Sequence, residues 1–474
     1  GKFGGDTDNW IWPRHTGDFS MFRVYASKDN RPAAYSPQNV PYRPKKHFSI
    51  STKGVKEGDF TMIYGFPGNT QEYILSDAVA YIAERSDPAK IAIRTGRLDI
   101  ITKAQESDPA LRIHYAAKHA SIANAWKKWQ GEALGIDRRG TVAAKFDYET
   151  QFGLWSVGRP EYAGVVMGLR VEYDRIMDAY FAYEITRETL STLPAAYTPE
   201  ERAEECFARR KFAEQALWRH AFREYGRCPK VYRTPSYAEG MARYKSPEAY
   251  ADALFEAVWE GSDSVAMQPA VRLREETKRM LDHISWMLGT KSLRNLNSKI
   301  LNELYTTYIK GLREWDRERA FYPDANLTLR VAYGSVAGYE YADGEYHKPQ
   351  TTLDGIIAKD NPEIYDYDIP QSLRDLYASK NYGRWGTVID GRRTVPVCFL
   401  ATNHTTGGNS GSPVLNAGGE LIGINFDRTW RSTMSDIAFD PAICRNIAVD
   451  IRYVLFVVDR VGGAGYLLKE MTLK

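Results

Sequence analysis

At 474 residues the chain is too long for one ordinary core, and length alone points to two or three domains. Its 43% apolar and 26% charged residues are those of a globular fold, and no run approaches the ~20 apolar residues that span a bilayer. A net charge of +3, with Lys and Arg spread among acidic neighbours, gives nucleic-acid binding no support.

Residues 1–75 read as β. The stretch Phe19-Ser20-Met21-Phe22-Arg23-Val24-Tyr25 alternates, and Phe60-Thr61-Met62-Ile63-Tyr64 runs as a strand into the turn Gly65-Phe66-Pro67-Gly68. The period then changes. Between about Tyr73 and about Trp315, apolar residues recur at i, i+3 and i+4 in stretches 91–103, 111–129, 173–190, 200–225 and 271–288. Asp, Pro and Ser stand near several of their starts, where helix caps belong. Strand character returns at 327–333 and recurs at 395–402, 421–426 and 446–458. Cys206, Cys228, Cys398 and Cys444 lack metal-ligand spacing; Cys206 and Cys228 either pair within a helical hairpin or stay free thiols. Nothing in the sequence demands a metal, a nucleotide or any other cofactor.

The string Gly407-Gly408-Asn409-Ser410-Gly411-Ser412-Pro413, followed by the apolar pair Val414-Leu415, carries the chemistry. Gly-x-Ser-Gly-Ser-Pro leading into a strand is how chymotrypsin-like barrels present a nucleophilic serine. Gly408 can adopt the backbone that turns its N–H inward, so that with the N–H of Ser410 it binds a developing oxyanion. The bland alternative is a Gly/Asn/Ser turn between two strands.

A second string lies near the beginning, Gly4-Gly5-Asp6-Thr7-Asp8-Asn9-Trp10-Ile11-Trp12-Pro13-Arg14-His15-Thr16-Gly17-Asp18. With Thr402-Asn403-His404-Thr405-Thr406 and Asn446-Ile447-Ala448-Val449-Asp450, it makes the chain resemble a family of bacterial serine dipeptidyl peptidases, closest to the subgroup specific for Asp and Glu. The resemblance implies an α+β fold, a chymotrypsin-like double β-barrel split by a large helical insertion. It sets the domains at 1–75 (the remainder of a first barrel), 76–325 (a helical cap) and 326–474 (the second barrel). It implies Ser410 as nucleophile, Asp18 as triad aspartate, and Gly408 and Ser410 as the oxyanion hole. Asn9, Trp10, Arg14, Asn124 and Asp427 would hold the substrate's free ammonium, which needs a carboxylate and oxygen acceptors once buried. Arg428 would select an acidic side chain before the scissile bond, by a bidentate grip, with Thr405 adding a hydroxyl.

The same resemblance implies short peptides as partners, a homodimer, and a place in the periplasm or on the outer surface of a Gram-negative cell. Relatives with a small residue at the Arg428 position prefer apolar side chains, which is the alternative specificity. A glutamyl endopeptidase and a non-catalytic peptide-binding descendant are the other readings. The helical insertion and the set Asn9, Asn124 and Asp427 speak against the first, and an intact Ser410, Gly408 and Asp18 against the second.

One element breaks the pattern. The family's catalytic histidine precedes its triad aspartate by a long stretch, and here the only histidine before Asp18 is His15, which is not the base. His404 lies on the pocket side of Ser410, and His47, His114, His119, His220, His283 and His347 show no pairing signal. The expectation is therefore a C-terminal portion of such an enzyme, with an incomplete first barrel and little activity alone.

Overall fold

The computed structural model describes residues 3–5, 7–261, 264–289 and 296–474, so Asp6 of the N-terminal string lies outside them. Two units emerge, Gly1–Glu72 with Asp324–Lys474, and Tyr73–Pro323.

In the first unit, a ribbon of β1 (Tyr25–Ala26) and β2 (Val40–Pro41) precedes β3 (Phe60–Gly65). The alternation over 19–25 predicts a longer strand than β1. Met21, Phe22 and Val24 are instead exposed, and residues 19–23 find no ladder partner among the described residues. Next come β4 (Arg330–Ser335), the hairpin β5 (Tyr339–Ala342) and β6 (Glu345–His347), and β7 (Gln350–Thr352). The fourth strand starts later than its apolar pattern because Leu327 adopts a left-handed backbone (φ +66), its N–H bonded to the Pro67 carbonyl. The hairpin β8 (Thr387–Ile389) and β9 (Arg392–Thr394) leads to β10 (Pro396–Ala401), β11 (Pro413–Leu415), β12 (Leu421–Arg428) and β13 (Asn446–Asp450).

One antiparallel sheet runs β4-β3-β11-β12-β13-β10-β7. A bridge between Val336 and Ala401, with the Thr402 N–H on the Ser335 carbonyl, ties β4 to β10 and closes the first six strands in that order into a barrel. Val55, Ile63, Val336, Phe399, Val414, Ile422 and Ala448 fill its interior. Chain order places β3 in the 1–75 remainder of a separate first barrel. In the structure β3 sits between β4 and β11, the strand that follows the Ser410 loop, because Ile63 turns its side chain, 0% exposed, into that shared core.

The strand expected over 446–458 stops at Asp450. The Asp450 carboxylate accepts the Arg452 N–H and grips the Arg452 guanidinium, which caps the helix Ile451–Phe456.

The second unit is helical. Its helices include Asp87–Ser107, Pro109–Arg138, Thr141–Ser156, Val165–Glu188, Lys211–Tyr225, Pro247–Glu260, Ser264–Met287 and Lys299–Trp315. Polar side chains start several of them: Asp108 accepts the Ala110 N–H, Ser246 that of Ala249 and Ser298 that of Leu301. The single helix expected over 200–225 is broken. A capping box of Thr198 and Glu201 starts the short helix Pro199–Ala203, and Phe207 then leaves the axis to stack on Trp259 with ring centroids 4.2 Å apart. All four cysteines are free, which removes the Cys206–Cys228 pairing.

Candidate active site

The serine loop is held from both sides by backbone. Gly407 accepts the Gly68 N–H at 2.6 Å, the Gly411 N–H donates to the Asn425 carbonyl at 2.8 Å, and the Asn425 N–H donates to the Ser412 carbonyl at 2.9 Å. Asn409, 3% exposed, folds inward: its Oδ1 accepts the Thr406 N–H, and its carbonyl accepts from Asn425 Nδ2. Asn446 in turn donates to Asn425 Oδ1. Gly408 needs to be glycine, since its φ is +104° and a Cβ there would strike the Phe66 carbonyl oxygen. Neither the Gly408 nor the Ser410 N–H donates a hydrogen bond among the described residues.

Ser410 is exposed, and its hydroxyl donates to the Phe426 carbonyl at 3.3 Å. That carbonyl is available because β12 carries a bulge: Asn425 pairs Ala448 and Asp427 pairs Ile447, with Phe426 between them. An extra residue in one strand bends it and re-aims its side chains. Here it brings the serine against the start of the charged pair Asp427-Arg428.

Both charges are already engaged. Asp427 accepts from Arg14 Nη1 at 3.1 Å, from the Trp10 N–H at 3.0 Å and from the Arg428 N–H at 2.8 Å. Burial pushes its carboxyl above the ordinary range, against the pull of Arg14. Arg14 also donates to the Asp8 carbonyl and to Thr16 Oγ1, and lies over the Phe426 ring. Trp10 takes a left-handed backbone (φ +68), pinned by its N–H on Asp427 and by the Trp430 N–H on its carbonyl at 2.6 Å. A bulky residue held in that region is stored strain, typical of ligand-binding segments.

Arg428 is 4% exposed, with its guanidinium 5.5 Å from the centre of the Trp10 ring. It makes a two-pronged pair with Asp436, Nη1 to Oδ1 at 2.6 Å and Nη2 to Oδ2 at 2.7 Å, and Nη1 also donates to Ser435 Oγ. The Thr405 carbonyl accepts from the same Nη1 at 3.3 Å. Its side chain is buried.

The structure thus gathers Ser410, Gly408, Trp10, Arg14, Asp427, Arg428 and Thr405 around β12, with Asn9 half-buried beside Trp10. Asp18 does not join them: it is exposed and makes no hydrogen bond or ion pair among the described residues. Asn124 is an exposed residue of the helix Pro109–Arg138 within the helical unit. None of the eight histidines hydrogen-bonds Ser410. His404 donates from Nε2 to the Ser435 carbonyl at 3.0 Å, has its Nδ1 3.2 Å from Glu72 Oε1, stacks on Phe439, and is driven toward the neutral form by burial. Asp436, Ser435, Asn425 and the Phe426 bulge were not legible in the sequence. Asp436 lies beyond Arg428 within a turn-rich segment that has no period to flag it.

Comparison with known proteins places this arrangement among peptidases. The model of the family Peptidase S46 matches residues 1–205 and 198–473. An Asp/Glu-specific dipeptidyl-peptidase of Capnocytophaga gingivalis is 41% identical over 519 residues, covering 100% of this chain and 71% of the relative. That of Flavobacterium psychrophilum is 42% identical with the same coverage. The crystal structure of Porphyromonas endodontalis DPP11 with the dipeptide Arg-Glu superposes with a TM-score of 0.84 at 33% identity, covering 100% of this chain and 73% of that one.

Proposed function

The chain belongs to the peptidase S46 family, and from that premise we propose that it serves a serine dipeptidyl peptidase that cuts after an acidic second residue. The observation that carries the reading is the contact of Ser410 Oγ with the Phe426 carbonyl, which sets the nucleophile beside Asp427 and Arg428. Ser410 attacks the scissile carbonyl, and the N–H groups of Gly408 and Ser410 receive the oxyanion that develops. Asp427 takes the substrate's ammonium, replacing its lost water with a buried carboxylate. Because that ammonium is fixed near the serine, only the second peptide bond reaches the nucleophile. Arg428 reads the acidic side chain through charge-assisted hydrogen bonds. The base that receives the Ser410 proton is assigned to none of the eight histidines.

The closed six-stranded barrel supports the finer fold assignment, a chymotrypsin-like double barrel in which this barrel carries the nucleophile. The relatives' names and the Arg-Glu complex of DPP11 support the acidic preference.

Calorimetric titration with Arg-Glu tests the binding half of the reading without needing turnover. Arg-Glu is expected to bind, and acetylation of its α-amine to abolish binding. Equal affinity for the acetylated dipeptide would sink the ammonium assignment.

A further inference from the structure

Arg428 is the residue that selects the acid under the proposed function, yet the structure shows its guanidinium already facing a carboxylate. Asp436 meets it end-on, with both nitrogens of the fork engaged at 2.6 and 2.7 Å. The pair is shielded from water, at 5% and 14% side-chain exposure. Ser435 Oγ and the Thr405 carbonyl hold the same Nη1 from behind. Asp436 is itself anchored, its carbonyl accepting the Gln71 N–H at 2.6 Å.

We infer that Asp436 is the resident counter-ion of the specificity pocket and sets how strongly the pocket prefers an acidic over a neutral side chain. The inference rests on the proposed role of Arg428. A guanidinium has five N–H donors arranged in forks, so it can serve two carboxylates at once. With the end-on fork given to Asp436, an incoming side-chain carboxylate must use the Nε–Nη2 edge. It then meets a guanidinium whose charge is already offset, and feels the Asp436 charge across it. The arrangement has a stability logic. Burying an unpaired guanidinium is costly, and Asp436 offsets that cost by neutralising Arg428. Asp427 and Arg14 repeat the device at the ammonium subsite. Across Arg14, Asp427, Arg428 and Asp436 the charges alternate and sum to zero, and a substrate's ammonium and acidic second side chain add one charge of each sign.

The experiment compares Arg-Glu with Arg-Gln by calorimetry on the full chain, in the unaltered protein and in Asp436→Asn, Asp436→Glu and Arg428→Met. Asparagine keeps the shape and one acceptor oxygen but removes the charge. The Glu-over-Gln preference is expected to rise about tenfold in Asp436→Asn, since one unit of nearby negative charge is gone, and to stay at the unaltered value in Asp436→Glu. A preference that is unchanged or smaller in Asp436→Asn overturns the inference. A crystal of the unaltered protein with Arg-Glu reads the same point without any variant: Asp436 is expected to stay bonded to both Nη atoms, and its displacement by the ligand overturns the shared-guanidinium arrangement. Arg428→Met separates the two levels of the argument. Loss of the Glu preference there upholds the assignment of Arg428, whereas its survival removes that assignment and the role of Asp436 with it.

Discussion

His15 is buried at 8% exposure, near Lys359 and Asp8, with its ring packed against the backbone of Gly355. Burial, and then the Lys359 charge, lower its pKa from 6.5 to about 4. The unfolded chain therefore binds a proton between those values that the folded one rejects, and stability is lost as the pH falls from 6.5 toward 4. The loss attributable to this residue is roughly 3 kcal/mol at 1.36 kcal/mol per unit. Urea unfolding of His15→Gln is expected to show a shallower fall between about pH 6.5 and about pH 4.5 than the unaltered chain; parallel curves would contradict the assignment. At this scale the sequence was informative about identity but silent about state. It named Asp427 and Arg428 as charges for a ligand, and the structure shows each already paired, with Arg14 and Asp436. Pairing depends on which side chain the fold delivers to the same desolvated spot, from 413 residues away for Arg14 and from eight for Asp436, which no periodicity encodes.

Among elements, agreement tracks the strength of the local signal. Long amphipathic stretches such as 91–103 and 111–129 lie within the helices Asp87–Ser107 and Pro109–Arg138, because helix periodicity and cap residues act within a few turns. The failures have side-chain causes. Phe207 abandons a helix to stack on Trp259, and Asp450 ends a strand by capping the helix Ile451–Phe456. Asp450 and Arg452 are 2% and 9% exposed as side chains, so removing the carboxylate strands a buried guanidinium as well as a cap. Asp450→Ala is expected to cost about 3–5 kcal/mol. The midpoint of urea unfolding measures it, and a change under about 1 kcal/mol would show that solvent reaches Arg452.

For the whole molecule, the barrel is built from both ends of the chain. Ile63 on β3 touches a core shared with Val414, Ile422 and Phe399, far away in sequence. Trimming it to Ala should cost about 2–5 kcal/mol and, more tellingly, should speed amide exchange in Pro413–Leu415 and Arg330–Ser335, the two strands that flank β3. Unaltered exchange in Pro413–Leu415 would mean that the serine strand does not depend on the N-terminal block. The residues alone were enough to establish the kinship and to single out the loop around Ser410, because both rest on contiguous strings whose glycines, serine and proline have local backbone requirements. The order of strands in the barrel, the bulge at Phe426 and the partner of Arg428 were decided by packing. The first two depend on segments apart in the chain meeting in one dry interior, and the third on a turn that brings Asp436, eight residues on, back to Arg428; burial and charge neutrality, rather than periodicity, select each arrangement.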